Sequence, residues 1–345
     1  MHIKNERKII ILLLIIFQIN IYLKKVKLKI GVISLSHSQN IGNNLLKYAI
    51  FIKLSELGFD PYIIGFKFYH NNISFLQNKV KLRILKKTFK EIKKEDYDLL
   101  MVNSDQTWGK FDKDFYDIAF LKFAKDWKIR KFIYGASGSK KWLNNKIDVK
   151  IAQNLLKNFT GLSFREKESA VFVQKKLGFK TFFVLDPTFL IHKKYYLDLI
   201  KNFKSNYINE STIFAYTVTN KIRQLVENIT AQAKLNLYFI DVKTGDNIRK
   251  FLYGIYKCKA VITDSYHGTL FSIIFNKPFI SFVFEEKFKE RFDSLKEIFN
   301  ISERIYNQNE NPNIQLLNRP LTLNLDKFNL LKKKSIHYLK QNLIV

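Results

Sequence analysis

The sequence predicts an α/β protein built on parallel, doubly wound β-sheets. Short apolar runs rich in β-branched residues alternate with longer helical segments along most of the chain, and crossovers of this kind join parallel strands. Several of these runs end in small polar loops that lead directly into a helix, as the strands of a doubly wound sheet do. With 345 residues, 47% of them hydrophobic, the chain is long enough to bury two cores of ordinary size, so two domains are expected.

The clearest strand–loop–helix unit lies at residues 259–280, KAVITDSYHGTLFSIIFNKPFI. Residues 260–263 predict a buried strand, residues 264–268 a small polar loop that contains His267, and residues 269–275 a buried helix. The first N–H groups of a helix have no partner within the helix, and the helix dipole is positive at that end. This loop is therefore predicted to bind an anion.

The first series of strands and helices defines a predicted domain of residues 28–192. Its first helix, residues 43–57, has its apolar residues on one face and ends at Gly58, since glycine readily adopts the left-handed conformation that follows a helix. The lysine-rich residues 79–94 predict a basic helix. The other predicted strands are 28–35, 62–66, 97–102, 131–136, 162–164 and 182–185, and the other predicted helices are 148–158 and 165–177.

A polar segment rich in lysine and asparagine, residues 193–209, opens the second predicted domain, residues 193–322. Residues 323–345 follow it, and the helix predicted at 326–343 is expected to pack back on the first domain. Besides the unit at 259–280, the predicted strands of this half are 212–218, 237–241 and 279–284, and the predicted helices are 220–232, 246–258 and 287–299.

Residues 1–27 precede the first predicted strand and have a different character. Residues 9–17 are an unbroken apolar run with basic residues on both sides. The run is shorter than the roughly 20 apolar residues that span a bilayer. No small-residue cleavage site follows it, which argues against a secretory signal. A membrane anchor and a hydrophobic extension of the domain are the two alternatives for this segment.

The chain carries a formal charge of +29, from 59 lysines and arginines against 30 acidic residues. Such a charge favours an anionic partner, while the abundance of lysine along the whole chain is also typical of a compositional bias. There is no arginine-rich block and no aromatic RNA-binding motif, so nucleic acid is not a predicted partner. A basic face directed toward a membrane surface or an anionic glycan is the alternative.

Some classes of site are excluded by what the sequence lacks. Cys258 is the only cysteine, so the chain forms no internal disulfide and no cysteine-built metal site, which fits a reducing compartment. The chain has no HExxH motif, no Walker loop, no GxSxG motif and no GxGxxG fingerprint. No metal is predicted.

Two polar loops after predicted strands contain further candidates. In SHSQNIGNN, residues 36–44, Gly42 permits close approach of a ligand and Asn43 opens a helix; capping by Asn40 or Asn43 is the structural alternative. In NSDQTW, residues 103–108, Asp105 is a candidate general base for a hydroxyl, and Trp108 is a candidate to stack on a sugar ring. An Asx-turn is the structural alternative for Asp105.

Charged residues elsewhere extend the candidate anion site. Arg165, in SFREKES, stands where a strand meets a helix and suits a bidentate grip on phosphate or carboxylate; a surface pair with Glu166 or Glu168 is the alternative. Lys277 and Arg291 follow the loop that contains His267 and add positive charge, although each is also typical of a solvated surface. His267 itself is a candidate donor, acid or base, or a side chain that bonds a backbone carbonyl.

The segments SQNIGNNLLKYA, VNSDQTW, SFREK, VLDPTFL, ITDSYHGTLFSIIFNKPFI and ERFDSL occur in this order, and together they resemble the polysaccharide pyruvyl transferase family. The resemblance covers roughly residues 28–300. It implies two Rossmann-like domains that face each other across a cleft, as in GT-B glycosyltransferases. The implied activity is transfer of the pyruvyl group of phosphoenolpyruvate to two hydroxyls of one sugar, which gives a cyclic ketal. Asn103 departs from the glycine expected before SDQ.

The resemblance also implies roles for the candidates. The acceptor side falls in residues 28–192 and the donor side in residues 193–322. His267 is expected to donate a proton or bind phosphate, and Asp105 to act as the base. Arg165 and Lys277 are expected to clamp the phosphate and carboxylate of the donor. Further substrate-binding residues are Ser265, Gly268 and Thr269, with the amides of the last two as an anion nest, and Asn43, Trp108 and Arg291.

Phosphoenolpyruvate is expected as a donor substrate, with no cofactor and no metal. The expected acceptor is a sugar or a lipid-linked glycan, and the expected location is the cytoplasm or the inner face of the cell membrane. The alternative enzyme is a GT-B glycosyltransferase with a nucleotide-sugar donor, because the same cleft suits a diphosphate. A non-enzymatic basic binding protein is supported only by the net charge.

Overall fold

The computed structural model describes residues 27–35, 40–66, 77–108, 115–138, 146–240 and 247–344. Two parallel β-sheets form its framework, which confirms the predicted α/β class. The first sheet has the order β3-β2-β1-β4-β5-β6-β7 and the second has the order β12-β11-β10-β8-β9. The strands are β1 (Lys29–Ile33), β2 (Asp60–Phe66), β3 (Leu82–Leu85), β4 (Leu99–Val102), β5 (Arg130–Ala136), β6 (Gly161–Phe164), β7 (Thr181–Phe183), β8 (Thr212–Tyr216), β9 (Asn236–Phe239), β10 (Ala260–Thr263), β11 (Phe279–Val283) and β12 (Ile305–Asn307).

The strand order reverses once in each sheet, between β1 and β4 and between β8 and β10. In open α/β sheets, ligands bind outside the carboxyl ends of the strands at such switch points. The helices connect the strands: α1 (Ile41–Glu56), α2 (Phe115–Phe120), α3 (Lys146–Leu156), α4 (Lys167–Leu177), α5 (Lys194–Ile200), α6 (Arg223–Ala233), α7 (Asn247–Lys257), α8 (Tyr266–Ile274), α9 (Lys289–Phe299) and α10 (Leu325–Leu343).

The two sheets share one apolar core. A single cluster of buried side chains contains residues of both sheets, among them Met101 in β4 and Val261 in β10. Tyr196 in α5 joins them, because its ring lies 6.3 Å from that of Tyr48 in α1 and 4.9 Å from that of Phe271 in α8. This shared core holds the carboxyl edges of the two sheets toward each other.

The last helix, α10, packs on the first sheet. The Tyr338 hydroxyl donates a hydrogen bond of 2.7 Å to the carbonyl of Ile133 in β5, and the Ser335 hydroxyl accepts one of 2.9 Å from the amide of Leu185. Gly161 in β6 permits this contact, because a Cβ there would lie 2.7 Å from the Tyr338 oxygen. The chain therefore returns to the first sheet after completing the second.

Several local predictions were wrong. Residues 79–94 form no basic helix; they contain β3 and two short 3-10 turns, Phe89–Glu91 and Lys94–Asp96. The lysines suggested a helix, but Val80, Leu82 and Ile84 alternate with Lys81 and Arg83 in the sequence, which is the period of two typical of a strand. Nothing in the sequence indicated α2, α5 or β12.

Helix starts differ from the prediction by one to three residues, and two of these differences move site residues. α8 begins at Tyr266, three residues before residue 269, so His267 lies in the first helical turn rather than in a loop. α4 begins at Lys167, after Arg165. The predictions for residues 1–26, for the loop at 36–39 and for residues 241–246 lie outside the described residues. In the part of the chain that is described, no helix combines the length and apolar character needed to cross a membrane.

The contact between α10 and the first sheet predicts a measurable stability difference. Replacing Tyr338 by Phe removes one buried hydrogen bond, while the Ile133 carbonyl keeps the bond that it accepts from the Ser163 hydroxyl. We expect Tyr338→Phe to lower the free energy of unfolding by about 1 kcal/mol in urea titrations. Tyr207→Phe, at a side chain that is 76% exposed, should change it by less than about 0.5 kcal/mol. Equal stabilities of the two variants would contradict the contact.

Candidate active site

Polar and charged residues from both domains meet where the carboxyl ends of the two sheets face each other. Asp105 follows β4, Arg165 follows β6 and Asp186 follows β7; from the second domain, His267 follows β10 and Arg291 follows β11. Four of these five line a cavity of about 100 Å³, and Asp186 lies behind them. Parallel strands bring their carboxyl ends to one edge of a sheet, so this convergence is a consequence of the topology.

Arg165 is buried among three carboxylates. Its Nη1 donates a hydrogen bond of 2.8 Å to Asp186 Oδ2, and its Nε lies 3.4 Å from Glu166 Oε1. Its Nη2 lies 3.6 Å from Asp105 Oδ1 and has no hydrogen-bond partner among the described residues. Arg165 therefore forms no surface pair; it is a fixed cation with one donor group to spare.

Asp105 has a strained backbone, with φ at 104°. Its carbonyl accepts N–H bonds from Thr107 (2.7 Å) and Ser137 (3.0 Å), which hold it in this conformation. The Thr107 amide is thus bonded to the Asp105 carbonyl, not to the side chain, so the Asx-turn alternative is not formed. A non-glycine residue in this region costs on the order of 1–3 kcal/mol, and such strain is typical of functional sites.

The carboxylate of Asp105 is ionised at neutral pH. Burial alone would raise its pKa, but the positive charge of Arg165 and the hydrogen bond from Asn43 bring it below its usual value. Asn43 Nδ2 donates to Asp105 Oδ2 at 2.5 Å, and the Gln106 amide donates to Oδ1 at 2.8 Å. Asp105 is therefore held as an anion in a fixed orientation.

Helix α1 supplies two groups to Asp105. Asn40 caps the helix by accepting from the Asn43 amide at 3.0 Å, so the side chain of Asn43 serves Asp105 instead. Its Oδ1 is buried and has no partner among the described residues. Lys47 lies one turn further along the helix, where burial lowers its pKa to about 7 while Asp105 opposes that shift. Sequence reasoning missed Lys47, although its spacing of four residues from Asn43 places both on one face.

His267 lies between the two domains. It is buried, and its Nε2 has no hydrogen-bond partner among the described residues although Asp186 Oδ2 lies 3.9 Å away. The backbone of α1 packs against the ring, because a Cβ on Gly42 would lie 2.1 Å from His267 Nδ1. Burial lowers the pKa of His267 to about 4, so the imidazole is neutral at pH 7.

Arg291 reaches from α9 toward the first domain. Its guanidinium lies over the rings of Phe288 (4.5 Å) and Tyr266 (5.7 Å), and its Nη2 lies 3.5 Å from Ser137 Oγ. The Ser137 hydroxyl donates to Glu166 Oε1 at 2.6 Å. The other arginine, Arg165, lies 4.8 Å from the centre of the same Tyr266 ring. Both guanidinium groups therefore lie within cation–π distance of the Tyr266 ring, a contact that attracts each of them.

The anion nest predicted at Gly268 and Thr269 is not formed. Ser265 caps α8, and its hydroxyl accepts from the Gly268 amide at 3.3 Å while its carbonyl accepts from the Thr269 amide at 3.0 Å. The Thr269 hydroxyl is bonded to Ser281 at 2.6 Å. In a helix that begins at Tyr266, the amides without an intrahelical partner are those of Tyr266 and His267. Ser265 lines the cavity and presents this helix end to it.

Two other predicted site residues lie elsewhere. Lys277 donates to the Cys258 carbonyl at 3.0 Å, beyond the opposite end of α8, a helix of nine residues and hence about 14 Å long. Trp108 is completely buried between the rings of Phe120 (5.2 Å) and Phe164 (4.9 Å), so neither of its faces is open to a sugar. The structure therefore does not bring Lys277 or a face of Trp108 to the cavity.

A larger cavity of about 430 Å³ lies on the outer side of α9 and is lined by Asp293, Lys296 and Lys327, among others, but by none of the convergent residues. We place the site in the smaller cavity, because the buried charges and the unpartnered polar atoms lie there. Among the described residues, no group of three or more histidine, cysteine, aspartate or glutamate side chains is arranged to hold a metal ion.

The sequence model of the polysaccharide pyruvyl transferase family matches residues 40–285, a span that contains every convergent residue except Arg291. This chain belongs to the polysaccharide pyruvyl transferase family. No match was found among curated proteins.

Solved structures of similar fold support the two-domain architecture of this family member. UDP-GlcNAc 2-epimerase from Methanocaldococcus jannaschii matches with a TM-score of 0.57 and 15% identity, over 91% of this chain and 99% of the epimerase. The S. aureus MnaA–UDP co-structure matches with a TM-score of 0.53 and 13% identity, over 90% of each chain. At these identities the likeness shows the fold alone, which is GT-B-like, as the resemblance implied.

The buried imidazole predicts a pH dependence of stability. His267 has a pKa of about 4 in the folded chain and an ordinary value of 6.5, so between these values the unfolded state binds more protons and the folded state loses stability as the pH is lowered. From pH 6.5 to 4, we expect the wild type to lose about 3 kcal/mol more than His267→Gln, measured by urea unfolding. The carboxylates titrate in both proteins, so parallel pH profiles would contradict a neutral His267.

Proposed function

We propose that this transferase moves the pyruvyl group of phosphoenolpyruvate onto two hydroxyls of one sugar in a glycan and forms a cyclic ketal. C3 of the donor gains a proton, C2 forms bonds to two sugar oxygens, and the bond from C2 to the phosphate oxygen breaks. The two hydroxyl protons balance the proton that C3 gains and the proton that leaves with inorganic phosphate. The reaction therefore needs an anion site for the donor and a base beside the acceptor.

The observation that carries the proposal is a group of buried polar atoms without partners at one place. Arg165 Nη2 and His267 Nε2 belong to residues that line the cavity, and Asn43 Oδ1 and Glu166 Oε2 belong to residues bonded to that lining. Nearly all buried polar groups in proteins are hydrogen-bonded. A polar ligand that bonds to several of these atoms is therefore expected in the cavity.

Phosphoenolpyruvate matches the charge of this cavity. Its phosphate and carboxylate require cations and N–H donors, and Arg165, Arg291 and the first-turn amides of α8 supply both. Arg291 thus takes the part that the sequence suggested for Lys277. The two arginines come from different domains, so a donor bound between them would contact both sides of the cleft.

His267 has a role that depends on the donor. Its imidazole is neutral in the free protein, so it is a poor proton donor there. A phosphate placed beside Nε2 would raise the pKa of the imidazole, because a nearby negative charge favours the protonated form. His267 is then able to bond to the phosphate and to carry the proton that C3 receives.

Asp105 and Asn43 suit the acceptor. Asp105 is an ionised, buried carboxylate and can accept a proton from an attacking hydroxyl. The Asp105 carboxylate fixes the orientation of the Asn43 side-chain amide, because only Nδ2 of that amide can donate a hydrogen bond to a carboxylate. Asn43 Oδ1 therefore remains as a hydrogen-bond acceptor beside the carboxylate. Two neighbouring acceptors match two hydroxyls of one sugar.

Donor binding is tested first by thermal unfolding of the full chain. At 100 times its dissociation constant, phosphoenolpyruvate should stabilise the native state by about 2.7 kcal/mol. Arg291→Gln should remove this stabilisation, whereas Lys277→Gln, which deletes an equal charge outside the cavity, should retain it. Stabilisation by nucleotide sugars and not by phosphoenolpyruvate would replace the proposal with glycosyl transfer.

The base is tested by the rate of inorganic phosphate release from phosphoenolpyruvate with a panel of hexosides. Asp105→Asn should reduce kcat by about 10²- to 10⁴-fold, the usual contribution of a general base. Phosphoenolpyruvate should still raise the melting temperature of this variant. Asp126→Asn, at a carboxylate whose side chain is 84% exposed, is the control and should leave kcat unchanged. A near-normal kcat for Asp105→Asn would remove Asp105 from the reaction.

A further inference from the structure

The segment that contains β3, residues 79–94, is much denser in positive charge than the chain as a whole. Eight of the 16 residues 79–94 are lysine or arginine, and Glu91 is their only acid. Two of the cations are paired, Lys81 with Asp60 and Arg83 with Asp96. The compositional bias of the whole chain, +29 over 345 residues, is too small to explain a run of this density.

Three of these cations project from one short loop after β3. Lys86, Lys87 and Lys90 are all exposed, and none of them forms a salt bridge of 4 Å or less with a described residue. We call these three side chains the β3 lysine cluster. Glu91, the one acid within residues 79–94, faces the loop backbone, so it does not pair with the three side chains of the cluster.

The backbone that carries the cluster is fixed. The Glu91 carboxylate accepts N–H bonds from Lys86 (2.9 Å), Lys87 (2.6 Å) and Thr88 (3.0 Å), and the Thr88 hydroxyl accepts one from Lys90 (3.2 Å). These bonds also lower the pKa of Glu91 to about 2, so the anion persists throughout the physiological pH range. Lysine side chains rooted on a rigid loop lose less entropy on binding than those on a mobile one.

The cluster lies on the same edge of the sheet as Asp105. Lys86 follows the carboxyl end of β3, Asp105 follows the carboxyl end of β4, and the strands between them are β2 and β1. Three strand spacings place the two loops about 14 Å apart. This distance is within the reach of a short glycan chain whose terminal sugar contacts Asp105.

We infer that the β3 lysine cluster binds the anionic groups of the acceptor, so that the preferred acceptor is a glycan chain carrying phosphate or carboxylate. This inference rests on the proposed function, because it assigns the acceptor to the edge that bears Asp105. A membrane surface fits less well, because the segment lacks the apolar face of an amphipathic membrane-binding element: Ile84 is the one large apolar side chain exposed among residues 79–94.

The test compares two triple variants of the full chain that remove equal charge. The first is Lys86→Gln, Lys87→Gln, Lys90→Gln. The control is Lys175→Gln, Lys176→Gln, Lys180→Gln, which removes three exposed lysines, two in the last turn of α4 and one just before β7, at the opposite edge of the sheet. Dissociation constants are measured by calorimetry for dextran, polygalacturonate and poly(glycerol phosphate), each without phosphoenolpyruvate.

The wild type should bind one or both anionic chains and not dextran, and binding should weaken as salt screens the charges. The β3 triple should weaken that binding by about tenfold, the loss expected for three exposed ion pairs, and the control triple by less than about twofold. Preference for poly(glycerol phosphate) or for polygalacturonate identifies the anionic group. Equal weakening by the two triples, or equal binding of dextran, overturns the inference.

Two further measurements distinguish glycan binding by the cluster from donor binding and from membrane binding. The thermal shift with phosphoenolpyruvate reports binding at the donor site only. If no shift is observed, the proposed donor is wrong, but the glycan-binding measurements still test the role of the cluster. Binding to phosphatidylglycerol vesicles is measured for both triples. The inference would be overturned if the wild type bound vesicles but no glycan, and if only the Lys86, Lys87 and Lys90 variant lost the vesicle binding. The cluster would then be assigned to a membrane.

Discussion

Arg165 is the cation around which the first half of the cleft is arranged. Carboxylates that follow β4 and β7, together with its neighbour Glu166, approach one guanidinium that is itself almost inaccessible to solvent. Removing one partner of a buried pair costs on the order of 3–5 kcal/mol, because the remaining charge is left uncompensated. The positions of Asp105 and Asp186, and through Asp186 the charge beside His267, therefore depend on this one side chain.

The sequence was sufficient for the sheet framework and for the residues that end its strands. Apolar runs bounded by polar loops predicted most of the strands, and Asp105, Arg165 and His267 were found because parallel topology brings carboxyl ends together. The predictions that failed concerned features that depend on tertiary contacts. The basic segment at 79–94 has strong helix formers but lies at a sheet edge, and the side chain of Trp108 turns into the core. Neither fact is encoded in local composition.

The partners of the site residues were also beyond sequence reasoning. Asp186 directly follows the predicted strand 182–185, but its hydrogen bond with Arg165 joins residues 21 apart in the chain, and the sequence did not indicate this pairing. Lys277 was favoured as a clamp because it follows His267 closely, yet a helix separates the two. Arg291 comes from the next helix and reaches the same cavity across the Tyr266 ring. Proximity in sequence was a poor guide to proximity in space wherever a helix intervened.

The return of α10 to the first sheet has a consequence for biosynthesis. The chain leaves the ribosome from its N-terminus, and all seven strands of the first sheet precede residue 184, whereas the helix that covers part of that sheet ends at Leu343. The apolar surface that Tyr338 and Leu339 cover stays exposed until α10 has been synthesised. The first domain therefore cannot complete its folding before the second has been synthesised, and partly made chains present an uncovered patch that is prone to aggregation.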